Sequence, residues 1–201
     1  MSFLEITLDF LFPKSCILCG KINEEYLCKN CSKRIEKYSE FKYLNKEVLI
    51  SDKKFFDRIF YCYKYKGLIR KCLLDYKFNN KSYYCNFFAK MLLNCKKIYR
   101  FFYFYDIIIP VPMDKTKKRI RGYNQTELIV DIIAKNVEII NGKNVIKKVK
   151  KTKVQSTLNS IERKRNVRGA FEIIEKNRII NKKIILFDDI CTTGSTVNEI
   201  S

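Results

Sequence analysis

Two clusters of residues in this 201-residue chain have the types and spacing to do chemistry. The first is Cys16, Cys19, Cys28 and Cys31, arranged as C-x2-C-x8-C-x2-C within CILCGKINEEYLCKNC. Each CxxC turn aims two thiolates at one point, and the segment between the turns closes a tetrahedral sulfur site suited to Zn2+. Four thiolates leave no open position on the metal, so the site is structural rather than catalytic. An iron–sulfur cluster takes the same ligand type and stays open as an alternative. Gly20 suits the tight turn that follows the first pair.

The second cluster lies in IILFDDICTTGSTVNEI, residues 184–200. An apolar run ends in Asp188 and Asp189, followed by Thr192, Thr193, Gly194, Ser195 and Thr196 and then a helix start. Hydroxyls and amides at such a turn cradle a phosphate, and Gly194 allows close backbone approach. A phosphate held there leaves the two carboxylates just upstream, placed for sugar hydroxyls or a hydrated Mg2+. No Gly-Lys-Ser/Thr occurs, so this is not a Walker loop.

Composition narrows the field. The chain has no His, which excludes Ser-His-Asp and Cys-His nucleophile systems, HExxH proteases and C2H2 fingers. Its 41 Lys and Arg against 21 Asp and Glu give +20, which favours anionic partners. A hydrophobic share of 47% is enough for a real core, so the charge does not signal disorder. The opening MSFLEITLDFLF lacks the basic start of a signal peptide. Phe3, Leu4, Leu8, Leu11 and Phe12 instead share one face of a short helix that stops before Pro13. No apolar run reaches spanning length, and the expectation is a cytoplasmic protein without membrane insertion. There thiols stay reduced, so Cys62, Cys72, Cys85 and Cys95 read as small buried hydrophobes.

The elements that must position these residues follow from periodicity. FFDRIFYCYKY (55–65) reads as a strand, LIRKCLLDYKF (68–78) as a helix, and a second helix runs from about Ser82 to about Ile98. From Asp106 the chain alternates: strand 106–110, a basic loop, helix 124–136, strand 144–149 and strand 182–189. This argues a doubly wound α/β domain, in which ligands collect at the carboxyl ends of the strands. The expected organisation is residues 1–45 as amphipathic helix and four-Cys module, 46–105 as a connecting strand and helices, and 106–201 as the α/β domain.

DDICTTGST resembles the phosphoribosyl-pyrophosphate (PRPP) signature of type I phosphoribosyltransferases. Carried over, Asp188 and Asp189 meet the ribose and its Mg2+, and Thr192, Thr193, Gly194, Ser195 and Thr196 meet the 5′-phosphate. PVPMDKTKKRIRGYNQTEL (110–128) and KTKVQSTLNSIERKRNVRGAFEI (151–173) are similar to blocks of the ComF family of competence-associated proteins, whose usual layout also includes the four-Cys module. The resemblance implies a type I phosphoribosyltransferase-like sheet with a small zinc-ribbon-like module, structural Zn2+, and Mg2+ with PRPP.

It also implies positive charge at the diphosphate. Lys115, Lys117, Lys118, Arg119 and Arg121 supply it after strand 106–110, with the two arginines best shaped for phosphate oxygens. Lys151, Thr152, Gln155, Arg163 and Asn166 match a mobile loop that closes over the transition state. Residues 143–183 hold 14 basic and three acidic residues, a patch that would equally follow a nucleic-acid backbone. Asn124 can cap the following helix or touch ligand.

Two features depart from the family pattern. Asp114 stands where the family usually has His, which sets an acid beside the diphosphate site. Only five residues follow Thr196, so the expectation is a domain short of its last elements. Two functions therefore compete. One is phosphoribosyl transfer to an unidentified nitrogen acceptor. The other is a DNA-processing accessory in competence that contacts single-stranded DNA or partner proteins. Cys191, inside the signature, replaces no motif residue and reads as a filler, though its place makes it a candidate for oxidative or alkylating inactivation.

Overall fold

The computed structural model describes residues 13–45, 55–153 and 158–201. The expected helix over residues 3–12 lies outside them. The cysteine segment folds as a knuckle, in which Cys16 N–H donates to the Lys21 carbonyl and Gly20 N–H to the Cys16 carbonyl, both at 2.8 Å. Gly20 takes φ +73°, a left-handed value that favours glycine at this turn. Helix α1 (Lys29–Glu36) starts immediately after Cys28 and buries Cys31 and Ile35 at i, i+4 spacing.

Strands β1 (Ser39–Asn45) and β2 (Arg58–Tyr63) pair antiparallel. Helix α2 (Gly67–Phe78) buries Ile69, Cys72, Leu73 and Tyr76, a single stripe at 3.6-residue period. Glycine suits position 67 at its start: φ is +53°, and a Cβ there would run into the Tyr38 ring and hydroxyl. The expected helix 82–98 is two helices, α3 (Tyr84–Leu93) and α4 (Lys96–Phe102). Cys95 interrupts them with extended backbone, φ −78° and ψ 97°.

The knuckle does not stand apart from these helices. Tyr84 Oη of α3 donates to the Ile17 carbonyl at 3.1 Å, and Ile17, Leu18, Tyr26 and Leu27 pack on the main core. Lys90 pairs with Glu25 across the same seam.

At the centre is a parallel sheet of three strands, ordered β4 (Ile140–Asn141), β3 (Ile107–Pro110), β7 (Ile184–Phe187). Strand β3 is buried along its whole length, as expected of an unbroken apolar run with both faces covered. Ile108 and Ile185 face a core that includes Ile129, Val130 and Ile133 of helix α6 (Gln125–Val137). Ile107 and Ile109, one pleat out of phase, face a second cluster with Val145, Ile146 and Phe171. The fold is α/β.

One expected strand joins a different sheet. Residues 144–149 yield β5 (Ile146–Lys148), which pairs antiparallel with β6 (Phe171–Ile173) and lies over the parallel sheet rather than in it. The chain leaves the sheet at Gly142, where a Cβ would meet the side chains of Ile107 and Ile109, and turns at Asn144, φ +72°. Helix α7 (Ser160–Val167) precedes β6 and is closed by a capping box between Asn159 and Glu162. No helix among the described residues is long and apolar enough to cross a membrane.

Candidate functional site

Parallel pairing brings the carboxyl ends of β3 and β7 side by side, with Pro110 opposite Phe187. Everything that follows either strand is therefore delivered to one edge of the sheet.

After β3 the basic stretch is a helix rather than a loop, α5 (Lys115–Arg121), with no buried residue. Asp114 starts it by accepting from Thr116 N–H at 2.9 Å and Lys117 N–H at 3.3 Å. Burial pushes the Asp114 carboxyl up, but these amides and nearby Lys148 hold it below the usual carboxylate range. The acid that seemed misplaced beside a diphosphate site is thus an N-cap. Asn124 is also a cap: its Oδ1 accepts from Thr126 N–H at 3.2 Å and Thr126 Oγ1 at 2.8 Å, and it is only 2% exposed.

After β7 come the two acids. Asp189 accepts from Lys77 Nζ at 3.0 Å on Oδ1 and from Gln125 Nε2 at 2.8 Å on Oδ2. Asp188 Oδ1 accepts the Asp189 backbone N–H at 2.9 Å. Burial and the neighbouring Asp189 charge push the Asp188 carboxyl up to about 7, against the pull of Lys77 and Lys148. Both acids line a cavity of about 1330 Å³ that runs along β7 and β2.

The TTGST turn leads into helix α8 (Ser195–Ile200) through Gly194, at φ +69°. Thr193 Oγ1 and Ser195 Oγ lie 2.7 Å apart, and Ser195 N–H donates to Thr193 Oγ1 at 3.4 Å. Arg163 of α7 reaches this turn, its Nη1 donating to Thr192 Oγ1 at 3.0 Å. Glu199 of α8 accepts from Gly169 N–H at 2.7 Å, tying the turn after α7 to the same helix.

The remaining expected residues divide. Arg121 is half-buried, bonded to Gln125 Oε1 and lying over the Phe78 ring at 5.4 Å, so its fork points into the fold. Arg119 and Lys151 are exposed and form no ion pair among the described residues. Thr152 accepts from Lys148 Nζ at 2.7 Å, and Asn166 fastens the Lys153 backbone at 2.9 and 3.1 Å. Gln155 lies outside the described residues. Cys191 is exposed.

Three site residues escape sequence reasoning: Lys77, Gln125 and Lys148. Lys77 carries no motif, only a place in the last turn of α2. Gln125 sits beside the Asn124 cap and shows no ligand spacing of its own. Lys148 is one lysine among many, and only its surroundings set it apart. Burial and Lys117 push its ammonium down, while Asp114 and Asp188 pull it up.

The four cysteines do converge. Their Sγ atoms all lie within 4.8 Å of one another. A tetrahedral Zn2+ with bonds of about 2.3 Å requires sulfurs about 3.8 Å apart, and Cys19 and Cys28 are already at 3.8 Å. The thiols are chemically unlike. Amides of Cys28, Leu18 and Cys19 outweigh burial to bring Cys16 down to about 6, while burial and neighbouring thiols push Cys31 up to about 12. A divalent cation removes that conflict by binding all four as thiolates, so the donor set fits structural zinc.

A double zinc ribbon domain model matches residues 7–41. Competence protein F of Haemophilus influenzae is 39% identical over 97 residues, 48% of this chain and 42% of that protein. The DNA utilization protein YhgH of Escherichia coli K12 is 29% identical over 96 residues, and that of Salmonella typhimurium 32%. The matched stretch spans 48% of this chain and 41% of each of those two proteins. The four-cysteine zinc ribbon beside the α/β fold, together with these similarities over less than half of each relative, supports a ComF-type protein.

Proposed function

We propose that the strand-end site binds PRPP, or a closely related phosphorylated sugar, and that the protein serves competence or DNA utilization, the roles its relatives' names give. One observation carries the reading. Strand β7 delivers the acid pair and the hydroxyl-rich turn to the same sheet edge at which the adjacent parallel strand β3 leads into the basic helix α5, with the Arg163 guanidinium 3.0 Å from Thr192. In this reading Thr192, Thr193, Gly194, Ser195 and Thr196 hold the 5′-phosphate, and the acids meet the ribose. Arg163 and Lys148 supply positive charge, and Arg119 and Lys151 are exposed cations that an anionic ligand could recruit. Asp188 and Asp189 are the residues that would face a Mg2+ ion brought in with the diphosphate, and such an ion would offset the charge of the leaving pyrophosphate.

If the site turns over, the bond between ribose C1 and the pyrophosphate oxygen breaks and pyrophosphate leaves with the electron pair. An acceptor nitrogen bonds to C1 and gives its proton to water. Fixed cations around the departing diphosphate stabilise that charge without an imidazole base, consistent with a chain that has no His.

Calorimetric titration of PRPP with Mg2+ tests this. The wild-type chain should bind, and Asp188→Asn/Asp189→Asn should lose at least tenfold in affinity. No binding by the wild type, or equal binding by the double variant, overturns the reading.

A second reading has its own support in α5, where Lys115, Lys118 and Arg119 are exposed and Lys117 is partly so, while Arg121 turns into the fold. Such a surface suits the backbone of single-stranded DNA. On that reading the protein is an accessory, and DNA affinity should fall steeply with salt and survive saturating PRPP.

A further inference from the structure

The two acids after β7 are not equivalent. The Asp189 side chain is only 6% exposed and has both oxygens engaged, with Lys77 Nζ 3.0 Å from Oδ1 and 2.8 Å from Oδ2, and Gln125 Nε2 2.8 Å from Oδ2. Three contacts use most of the roughly four acceptor positions of a carboxylate. Asp188 has a single hydrogen bond among the described residues, from the backbone N–H of its neighbour.

Lys77 cannot drift away from this contact. Tyr76, on one side of it in α2, donates its hydroxyl to the Gln125 carbonyl at 2.9 Å and stacks on Tyr123 at 5.5 Å. The Tyr123 hydroxyl in turn donates to the Tyr76 carbonyl. Phe78, on the other side, lies under the Arg121 guanidinium. The last turn of α2 is thereby fastened to the start of α6 on both flanks of Lys77. Gln125 closes the circuit by bonding Arg121 with Oε1 and Asp189 with Nε2.

We propose that Lys77, from a helix outside the central sheet, is a positioning residue: with Gln125 it clamps Asp189, so that Asp188 is the acid presented to the ligand. The clamp stands on geometry alone, whereas the identity of the ligand rests on the phosphoribosyl reading above. Pulling Asp189 out to meet a sugar hydroxyl would strand a mostly buried ammonium, whose side chain is 17% exposed.

The test uses the full chain as wild type, Lys77→Met, Lys77→Arg, Asp188→Asn, Asp189→Asn and Lys77→Met/Asp189→Asn. Thermal unfolding is measured on each, and PRPP–Mg2+ affinity is measured well below each midpoint. Lys77→Met and Asp189→Asn should each lower Tm by roughly 5 °C or more. The double variant should fall no further than the worse single variant, and Asp188→Asn should not fall at all. Lys77→Met should weaken PRPP about tenfold by loosening Asp189, Lys77→Arg should recover most of that loss, and Asp188→Asn should lose at least tenfold more than Lys77→Met. Additive Tm losses, no rescue by arginine, or equal Tm losses for the two acid variants overturn the clamp. A wild type that fails to bind PRPP overturns the phosphoribosyl reading instead, and the Tm cycle still decides the clamp.

Discussion

The four-cysteine knuckle and the strand-end site are built on opposite plans. The knuckle gathers its four sulfurs from Cys16 to Cys31, and its turns are closed by bonds between near neighbours. The strand-end site joins Lys77 to Asp189 across 112 positions and Arg163 to Thr192 across 29. A local site of four thiols needs its metal to hold them together as thiolates. A distributed site needs the whole sheet and its helices, and any ligand meets a largely prepared surface. Perturbing each region should therefore give different signatures.

The largest effect belongs to the metal. Chelation, or Cys16→Ser with Cys28→Ser, should remove zinc and unfold the knuckle, since structural zinc contributes on the order of 10 kcal/mol in small modules. Metal content by elemental analysis and the unfolding profile are the measurements. Because Ile17, Leu18, Tyr26 and Leu27 pack on the main core, the core Tm should fall as well. Unchanged metal content would break the comparison at its first term.

The strand-end site should respond to pH instead. Asp188 is pushed up to about 7 in the folded chain, against about 3.9 unfolded. The folded state thus holds its proton more tightly, so this group favours folding below pH 4 and loses that contribution as pH rises towards 7 and beyond. The expected slope amounts to a few kcal/mol at most across that window. Denaturant midpoints from pH 4 to 8 should show the decline, and Asp188→Asn should flatten it. A midpoint that rises with pH in the wild type alone would remove the asymmetry between the acids.

The contrast in plan also explains what the sequence displays. The cysteine spacing, the DDICTTGST signature and the IIIP strand are short-range patterns, and each is legible because the residues that cooperate are neighbours. The fate of residues 144–149 is not, since an Ile-Lys-Lys segment serves equally in a parallel sheet or in a ribbon packed over it. What decides is Gly142 lying against Ile107 and Ile109, a contact made only once the sheet exists. Lys77 is hidden for the same reason: in a chain with 31 lysines, no local pattern marks the one that reaches Asp189. Arg121 is legible in type but not in direction, because Phe78 and Gln125 turn its guanidinium inward.

A smaller effect probes the seam between the two regions. Tyr84→Phe removes the hydroxyl that donates to the Ile17 carbonyl, costing about 1 kcal/mol. If the knuckle and the helices form one cooperative unit, the variant should lower a single Tm slightly and speed zinc loss to chelator. A lowered Tm with unaltered zinc release would mean that the metal site holds itself independently of α3.

The smallest effect lies in the Asp114 cap, and it separates scaffold from site within a single residue. Asp114→Ala should cost about 1 kcal/mol through loss of the α5 N-cap, while Asp114→Asn should cost a few tenths because the amide oxygen still accepts from Thr116 and Lys117. Both substitutions remove a negative charge near Lys148. If that lysine faces an anionic ligand, the asparagine variant should bind PRPP slightly more tightly at low salt, with a gain that vanishes as salt rises. The cap and the field would then act separately: stability follows the hydrogen bonds, and affinity follows the charge. An asparagine variant that binds more weakly at every salt concentration would place Asp114 among the ligand contacts, and α5 would then be shaped by the site rather than by its own cap.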